Sequence, residues 1–201
     1  MTGPAPAAAV WGGVELLERA IGYMLGSLRL VTEADYTAPT PCTGWDLRAL
    51  LDHMNDSLEA LQEAVDVRRV DRRSGPTGTG DPVAALRDRA CRLLGGWAND
   101  PSGGDVSVDG RPLTTRVLTS AGALEVATHG WDVAEACGAR RPVPEALAED
   151  LLRLVPLLVT AHDRPGRFGP VVDVPAPAAA GDRLLGLLGR DPYRRPRRAR
   201  R

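Results

Sequence analysis

Long segments of this chain place apolar residues at alternating steps of three and four, and that rhythm narrows the class of fold more than any other feature. Over residues 10 to 33 it is kept by Val14, Leu17, Ile21, Met24, Leu28 and Val31. A second run, opening at Thr43, carries Leu47, Leu50, Met54, Leu58, Leu61 and Val65. A third covers about residues 82 to 97 with Val83, Leu86, Ala90, Leu93 and Trp97, and a fourth about 113 to 137 with Val117, Ala121, Leu124 and Thr128 facing inward. Leu147, Leu151, Leu154 and Leu158 mark a fifth over about 144 to 161. Each stripe is one buried face of a helix, because residues three and four apart stack on the same side. Helices of this length with little strand signal predict an all-α fold, a four-helix bundle with a short extra helix and an extended C-terminal segment.

Punctuation between the stripes fits that reading. Thr43 with Asp46 three residues on resembles a capping box for the second helix. "RRVDRRSGPTGTGD" reads as a loop whose glycines lack the GK[ST] of a phosphate cradle. "VSVDGRPL" predicts a short hairpin turning at Asp109-Gly110, and Gly138 a helix stop. After the fifth helix, "RPGRFGPVVDVPAPAA" is extended and "AGDRLLGLLGRDP" closes the chain with a short helix. The expected division is a bundle over residues 1–193 and an arginine-rich disordered tail over 194–201.

Composition excludes several functions. All 25 basic residues are arginine, so lysine Schiff bases and a P-loop lysine are ruled out. No segment reaches the ~20 apolar residues of a membrane span, and the start lacks a signal-peptide pattern, so a cytoplasmic protein with no membrane partner is expected. Three cysteines, Cys42, Cys91 and Cys137, without CxxC spacing, are expected as reduced thiols. The tail holds six arginines, and taking them from the formal net charge of −1 leaves −7 for the rest. So acidic a body offers no basic face to continue the tail, and nucleic acid is not the expected partner.

Chemistry is concentrated in "ALEVATHGWD". Glu125 and His129, four apart, share one helix face beside Ala121 and Thr128, and a carboxylate aimed at a core is costly unless paired. His53, one residue off the stripe of the second helix, can look into the same interior. Two imidazoles and a carboxylate are the composition of a three-donor metal site with an open position. They are equally the composition of a hydrogen-bonded helix pair beside a satisfied core histidine, and spacing alone leaves both open. Asp132, three residues after His129, is either an outer partner that orients a ligand or a solvent-facing carboxylate. Cys42, just ahead of the second helix, stands where a helix dipole favours a thiolate, so a Cys-His nucleophile is conceivable. His162 reads as a surface or loop residue, and Trp45 and Trp131 as packing near helix ends.

"TPCTGWDLRALLDHM" together with "ALEVATHGWDVAEACG" resembles the paired signature of the DinB-like superfamily, in particular proteins related to the amino-terminal domain of mycothiol-dependent maleylpyruvate isomerase. The ending "FGPVVDVPAPAAAGDRLLGLLGRDP" is similar to one actinobacterial subgroup, and the likeness spans roughly residues 11 to 193. The resemblance implies a divalent metal held by His53, Glu125 and His129 in a four-helix bundle, usually zinc, with nickel or iron as alternatives. It further implies mycothiol, or another low-molecular-weight thiol, acting on a small-molecule electrophile in a metal-dependent S-transferase or isomerase. The carboxy-terminal domain that completes the isomerase's active site is not expected here, so the metal site and not maleylpyruvate isomerisation is what carries over. A non-catalytic metal-binding protein and a non-haem iron enzyme remain the alternatives. Bundles of this family often pair, which leaves a homodimer open, although no exposed apolar stripe demands one.

Overall fold

The computed structural model describes residues 13–70, 80–98, 104–164 and 166–194. Among them the apolar stripes fold as α1 (Val14–Leu28), α2 (Leu47–Val67), α3 (Pro82–Ala98), α4 (Thr115–Ala136) and α5 (Glu145–Leu158), with α6 (Ala180–Leu187) closing the chain. α1 lies along α4, α2 along α3 and α4, and α1 also touches α3, which closes a four-helix bundle. α5 leans on α1 and α4 and carries α6 on its outer side. Leu17, Ile21, Met24, Leu50, Leu58, Leu86, Leu93 and Leu151 fill the core and are fully buried. Each such side chain contributes roughly 1.5–3 kcal/mol by leaving water, so the bundle is held by apolar burial.

α4 is the central element. From Gly122 to Ala134 every residue but Glu125 is buried, so its later half is enclosed on all sides. Two glycines on it permit close approach. A Cβ at Gly130 would stand 3.1 Å from the backbone Cα of Met24 on α1, and one at Gly122 would stand 2.8 Å from Leu61 Cδ1 on α2.

A small sheet, β1 (Arg69–Val70), β2 (Asp105–Val108) and β3 (Arg111–Thr114), caps one end in the order β1-β2-β3. Asp109 and Gly110 join β2 to β3 with φ of 49° and 76°, the two left-handed positions of a type I′ hairpin turn that the dipeptide predicted. β1 pairs in parallel with β2, so the stretch expected as loop from residue 68 begins as strand. Val70 and Val106 bury a satellite cluster with Ala64 that repays the pairing.

Helix ends differ from expectation for local reasons. α2 starts at Leu47, not at Thr43: the Trp45 N–H donates to the Cys42 carbonyl at 3.1 Å and Gly44 takes φ +84°, which makes residues 42 to 45 a turn. The cap is Asp46, whose carboxylate accepts the Ala49 N–H at 2.8 Å. α1 stops at Leu28, and Val31 still packs on the core from outside the helix. Val117, expected to face inward, is 40% exposed, because it lies in the first turn of α4 where the helix leaves the hairpin. Gly138 ends α4 at φ +71°, with Ala139 N–H on the Ala134 carbonyl at 2.9 Å and Gly138 N–H on Glu135 at 3.0 Å, the Schellman pairing. Most of the arginine-rich tail, residues 195–201, lies outside the described residues. Among the described residues no helix is long and apolar enough to cross a membrane.

Candidate metal centre

α2 and α4 face one another with polar residues at matching spacing. His53 and Ser57, four apart on α2, meet Glu125 and His129, four apart on α4. His53 Nε2 lies 3.1 Å from Glu125 Oε1, and the Ser57 hydroxyl donates a short hydrogen bond to the same oxygen. The rings of His53 and His129 are 5.2 Å apart between centroids, edge to face at 88°. One donor atom from each of His53, Glu125 and His129 can be chosen so that all three lie within 4.8 Å of one another. The structure thus brings together the three residues singled out from the sequence.

Solvent reaches this cluster unevenly. The side chains of His53 and Glu125 keep 36% and 32% exposure, whereas His129 is down to 11%. Burial raises the proton affinity of a carboxyl, and at Glu125 hydrogen bonds from His53 and Ser57 and the electrostatic pull of His129 outweigh it, holding the group down at about 2. Glu125 is therefore an anion at neutral pH and offers lone pairs.

Asp132 settles the orientation of His129. Its Oδ2 is 3.0 Å from His129 Nδ1. A carboxylate only accepts, so Nδ1 carries a proton, and in the neutral imidazole Nε2 is then the nitrogen with the lone pair. Asp132 is completely buried and thus not the solvent-facing carboxylate of the second sequence reading. Arg190, from the segment after α6, supplies the countercharge with Nη2 at 3.0 Å from the same oxygen. Burial pushes the Asp132 carboxyl up, but the Arg190 charge and the His129 hydrogen bond prevail and hold it at about 2.

Cys42 belongs to this cluster as a thiol. Its S–H donates to Asp132 Oδ2 at 3.2 Å, and its sulfur is 3.9 Å from His129 Nδ1. Burial and the Asp132 charge, against the opposing pull of Arg190, push the thiol up to about 12. The helix-dipole reading of a nucleophilic Cys42 is therefore overturned by a carboxylate ninety residues away in sequence. Cys91 stands exposed, while burial lifts Cys137 as well to about 12. Alkylation with iodoacetamide at pH 8, followed by peptide mass spectrometry, should label Cys91 at least ~100-fold faster than Cys42 or Cys137, since only the thiolate reacts. Equal rates at Cys42 and Cys91 would contradict this description of the cluster.

Other candidates fall elsewhere. Trp45 does more than pack at a helix end: its ring lies 4.7 Å from that of His53 and it remains 38% exposed, an aromatic surface beside the donors. Trp131 is buried in the core. His162 sits exposed in a short 3-10 turn, Ala161–Asp163, remote in role from the cluster. A cavity of about 250 Å³, lined by Thr40, Thr43, Trp131, Glu135, Arg190 and Arg194 among others, includes none of the three donors. Arg190 had no signal in the sequence, since it is placed by tertiary packing, whereas Ser57, four residues after His53 on the same helix, lay within reach of the helical period.

Residues 17–134 match the profile of the mycothiol maleylpyruvate isomerase N-terminal domain, a span that contains Cys42, His53, Glu125, His129 and Asp132. The fold is similar to the crystal structure of the mycothiol-dependent maleylpyruvate isomerase, at 18% identity and a TM-score of 0.53 over 68% of this chain and 65% of that one. It is similar also to a histidine-to-alanine mutant of a mycothiol-dependent maleylpyruvate isomerase, at 17% identity and a TM-score of 0.54 with the same coverage. The chain thus spans about two thirds of the length of these solved proteins, and at such identity the likeness is one of fold. No curated protein matches the sequence.

Proposed function

Because this chain belongs to the mycothiol maleylpyruvate isomerase N-terminal domain family, we propose that His53, Glu125 and His129 hold one divalent metal, most simply zinc, and that the centre activates a low-molecular-weight thiol of the mycothiol type toward a small electrophile. The observation that carries the reading is the convergence of two imidazoles and one ionised carboxylate within 4.8 Å at a place solvent can reach. Three protein donors are the number that leaves a position open on zinc, and nickel or iron(II) accept the same donor set. When bound, such a cation supplies a Lewis acid that favours the thiolate form of a thiol near neutral pH.

The chain's own residues do the rest. Asp132 holds His129 through Nδ1, which leaves Nε2 as the nitrogen available to ligate. The Ser57 hydroxyl donates to Glu125 and keeps that carboxylate aimed, and Cys42, kept protonated, does not compete as a nucleophile. Trp45 offers an apolar face next to His53, suited to an uncharged part of a substrate. Transfer of the thiol to carbon, or addition and elimination across a double bond, are the two outcomes open to the proposed centre. Three free cysteines fit a reducing compartment, the cytoplasm.

Protein purified without a metal-affinity column is expected to contain about one equivalent of divalent metal by elemental analysis. It should also consume an electrophile in a mycothiol-dependent, chelator-sensitive reaction. Metal without turnover toward any thiol would leave a non-catalytic metal-binding protein, and oxygen-dependent turnover with iron would replace thiol chemistry by non-haem iron chemistry. No metal, and none taken up when zinc or iron is supplied, would reduce the three residues to a polar cluster.

A further inference from the structure

Arg190 lies outside the segment that matches the family, at the far end of the chain, yet its side chain is 8% exposed and ends on Asp132. Nη2 is 3.0 Å from Asp132 Oδ2, the oxygen that also takes His129 Nδ1, while Nε is 3.4 Å from Oδ1. A two-point hold of this kind fixes the plane of a carboxylate as well as its charge. The arginine itself has little freedom. Nη1 donates to the Leu188 carbonyl and the backbone N–H to Leu185, each at 2.9 Å. Gly189 before it takes φ +77° and approaches Gly169 so closely that an added Cβ would stand 2.7 Å from its Cα. A fixed backbone thus aims a fixed guanidinium at the carboxylate that orients His129.

From this geometry we infer that Arg190 is a positioning residue of the metal centre, setting the His129 ring through the plane of Asp132, so that the segment after α6 is part of the site. The inference rests on the metal reading above. A plain countercharge would serve Asp132 equally from a lysine; the fork that meets both carboxylate oxygens would not be needed. Removing an outer partner of a metal-ligating histidine costs about 10–100-fold in metal affinity, and Arg190 stands one step further out.

The test is zinc affinity, measured by competition with a chromophoric chelator, for the wild-type chain, Arg190→Gln, Arg190→Lys, Asp132→Asn and the Arg190→Gln/Asp132→Asn double variant. The visible bands of the cobalt(II)-loaded proteins are recorded beside it. Arg190→Gln is expected to bind zinc about 10-fold more weakly and to shift the cobalt bands. Arg190→Lys should lose several-fold although its charge is kept. The double variant should be no weaker than Asp132→Asn to within about twofold, because both changes break one path. Additive losses, or wild-type affinity in Arg190→Lys, would overturn the inference while leaving the metal reading intact. Should Arg190→Gln fail to fold, Arg190→Lys decides. No zinc uptake by the wild-type chain would remove the metal reading, and this inference with it.

Discussion

A His129→Ala chain purifies folded but without stoichiometric metal, and its thiol-dependent turnover falls to background: this is the largest effect expected of any single substitution here. His129 is the most buried of the three donors, at 11% side-chain exposure, and the only one whose ring is fixed by a buried carboxylate. Its loss leaves His53 and Glu125, two donors too few for a closed coordination shell. The affinity loss should exceed the ~100-fold upper range seen when only an outer partner is removed. Folding is spared for a stated reason: Asp132 keeps Arg190 and the Cys42 thiol as partners, so no buried charge is stranded. Elemental analysis and circular dichroism of the variant beside His162→Ala read both halves of the expectation, since His162 is exposed and its variant should match the wild type. Full metal content in His129→Ala would sink the proposed centre.

Gly130→Val is expected to destabilise the metal-free protein by about 3 kcal/mol, near the upper part of the range for overpacking a core. The Cβ it adds stands 3.1 Å from the Met24 Cα and 3.2 Å from the Tyr23 ring, and backbone cannot turn aside as a side chain can. Two further methyl groups have no space to occupy unless α1 and α4 part. For a chain of this size such a loss lowers Tm by roughly 6–12 °C. Gly130→Ala makes the contrast: the same close contact is offset by up to ~1 kcal/mol of helix propensity regained from glycine, so its net change should stay within about 1 kcal/mol. Thermal unfolding without metal avoids the stabilisation that ligand binding would add. A Gly130→Val protein melting with the wild type would mean that the α1–α4 seam is looser than the distances describe.

How far the sequence speaks depends on how local the information is. His53, Glu125 and His129 could be set on helix faces by their spacing, but it was the family resemblance and not the period that singled them out as a ligand set, since the later half of α4 is buried nearly all round and shows no one-sided stripe. Asp132 was reachable by the same arithmetic, three residues from His129, though its complete burial was not. The hairpin turn was legible in Asp109-Gly110, since few dipeptides tolerate two left-handed residues in succession. What failed was non-local. Cys42 looked activated from its helix alone, and only the fold puts Asp132 against its sulfur. Arg190 is separated from Cys42 by 148 residues and looks like any other arginine in a chain full of them. Thr43 misled through a glycine one residue later that bends the backbone into a turn.

The α2–α4 seam has one more consequence. Gly122, three residues before Glu125, is where Leu61 comes against the backbone of α4, so the spacing of the two helix axes is set within one turn of Glu125 and about two turns of the histidines. His53 stands on one axis, Glu125 and His129 on the other. Preferred distances to common ions differ by only a few tenths of an ångström, about 2.0–2.2 Å for zinc with nitrogen or oxygen against 2.3–2.6 Å for calcium with oxygen. For the proposed centre the seam would act as a ruler, a glycine and a leucine that carry no donor atom helping to set the span between His53 and the pair on α4.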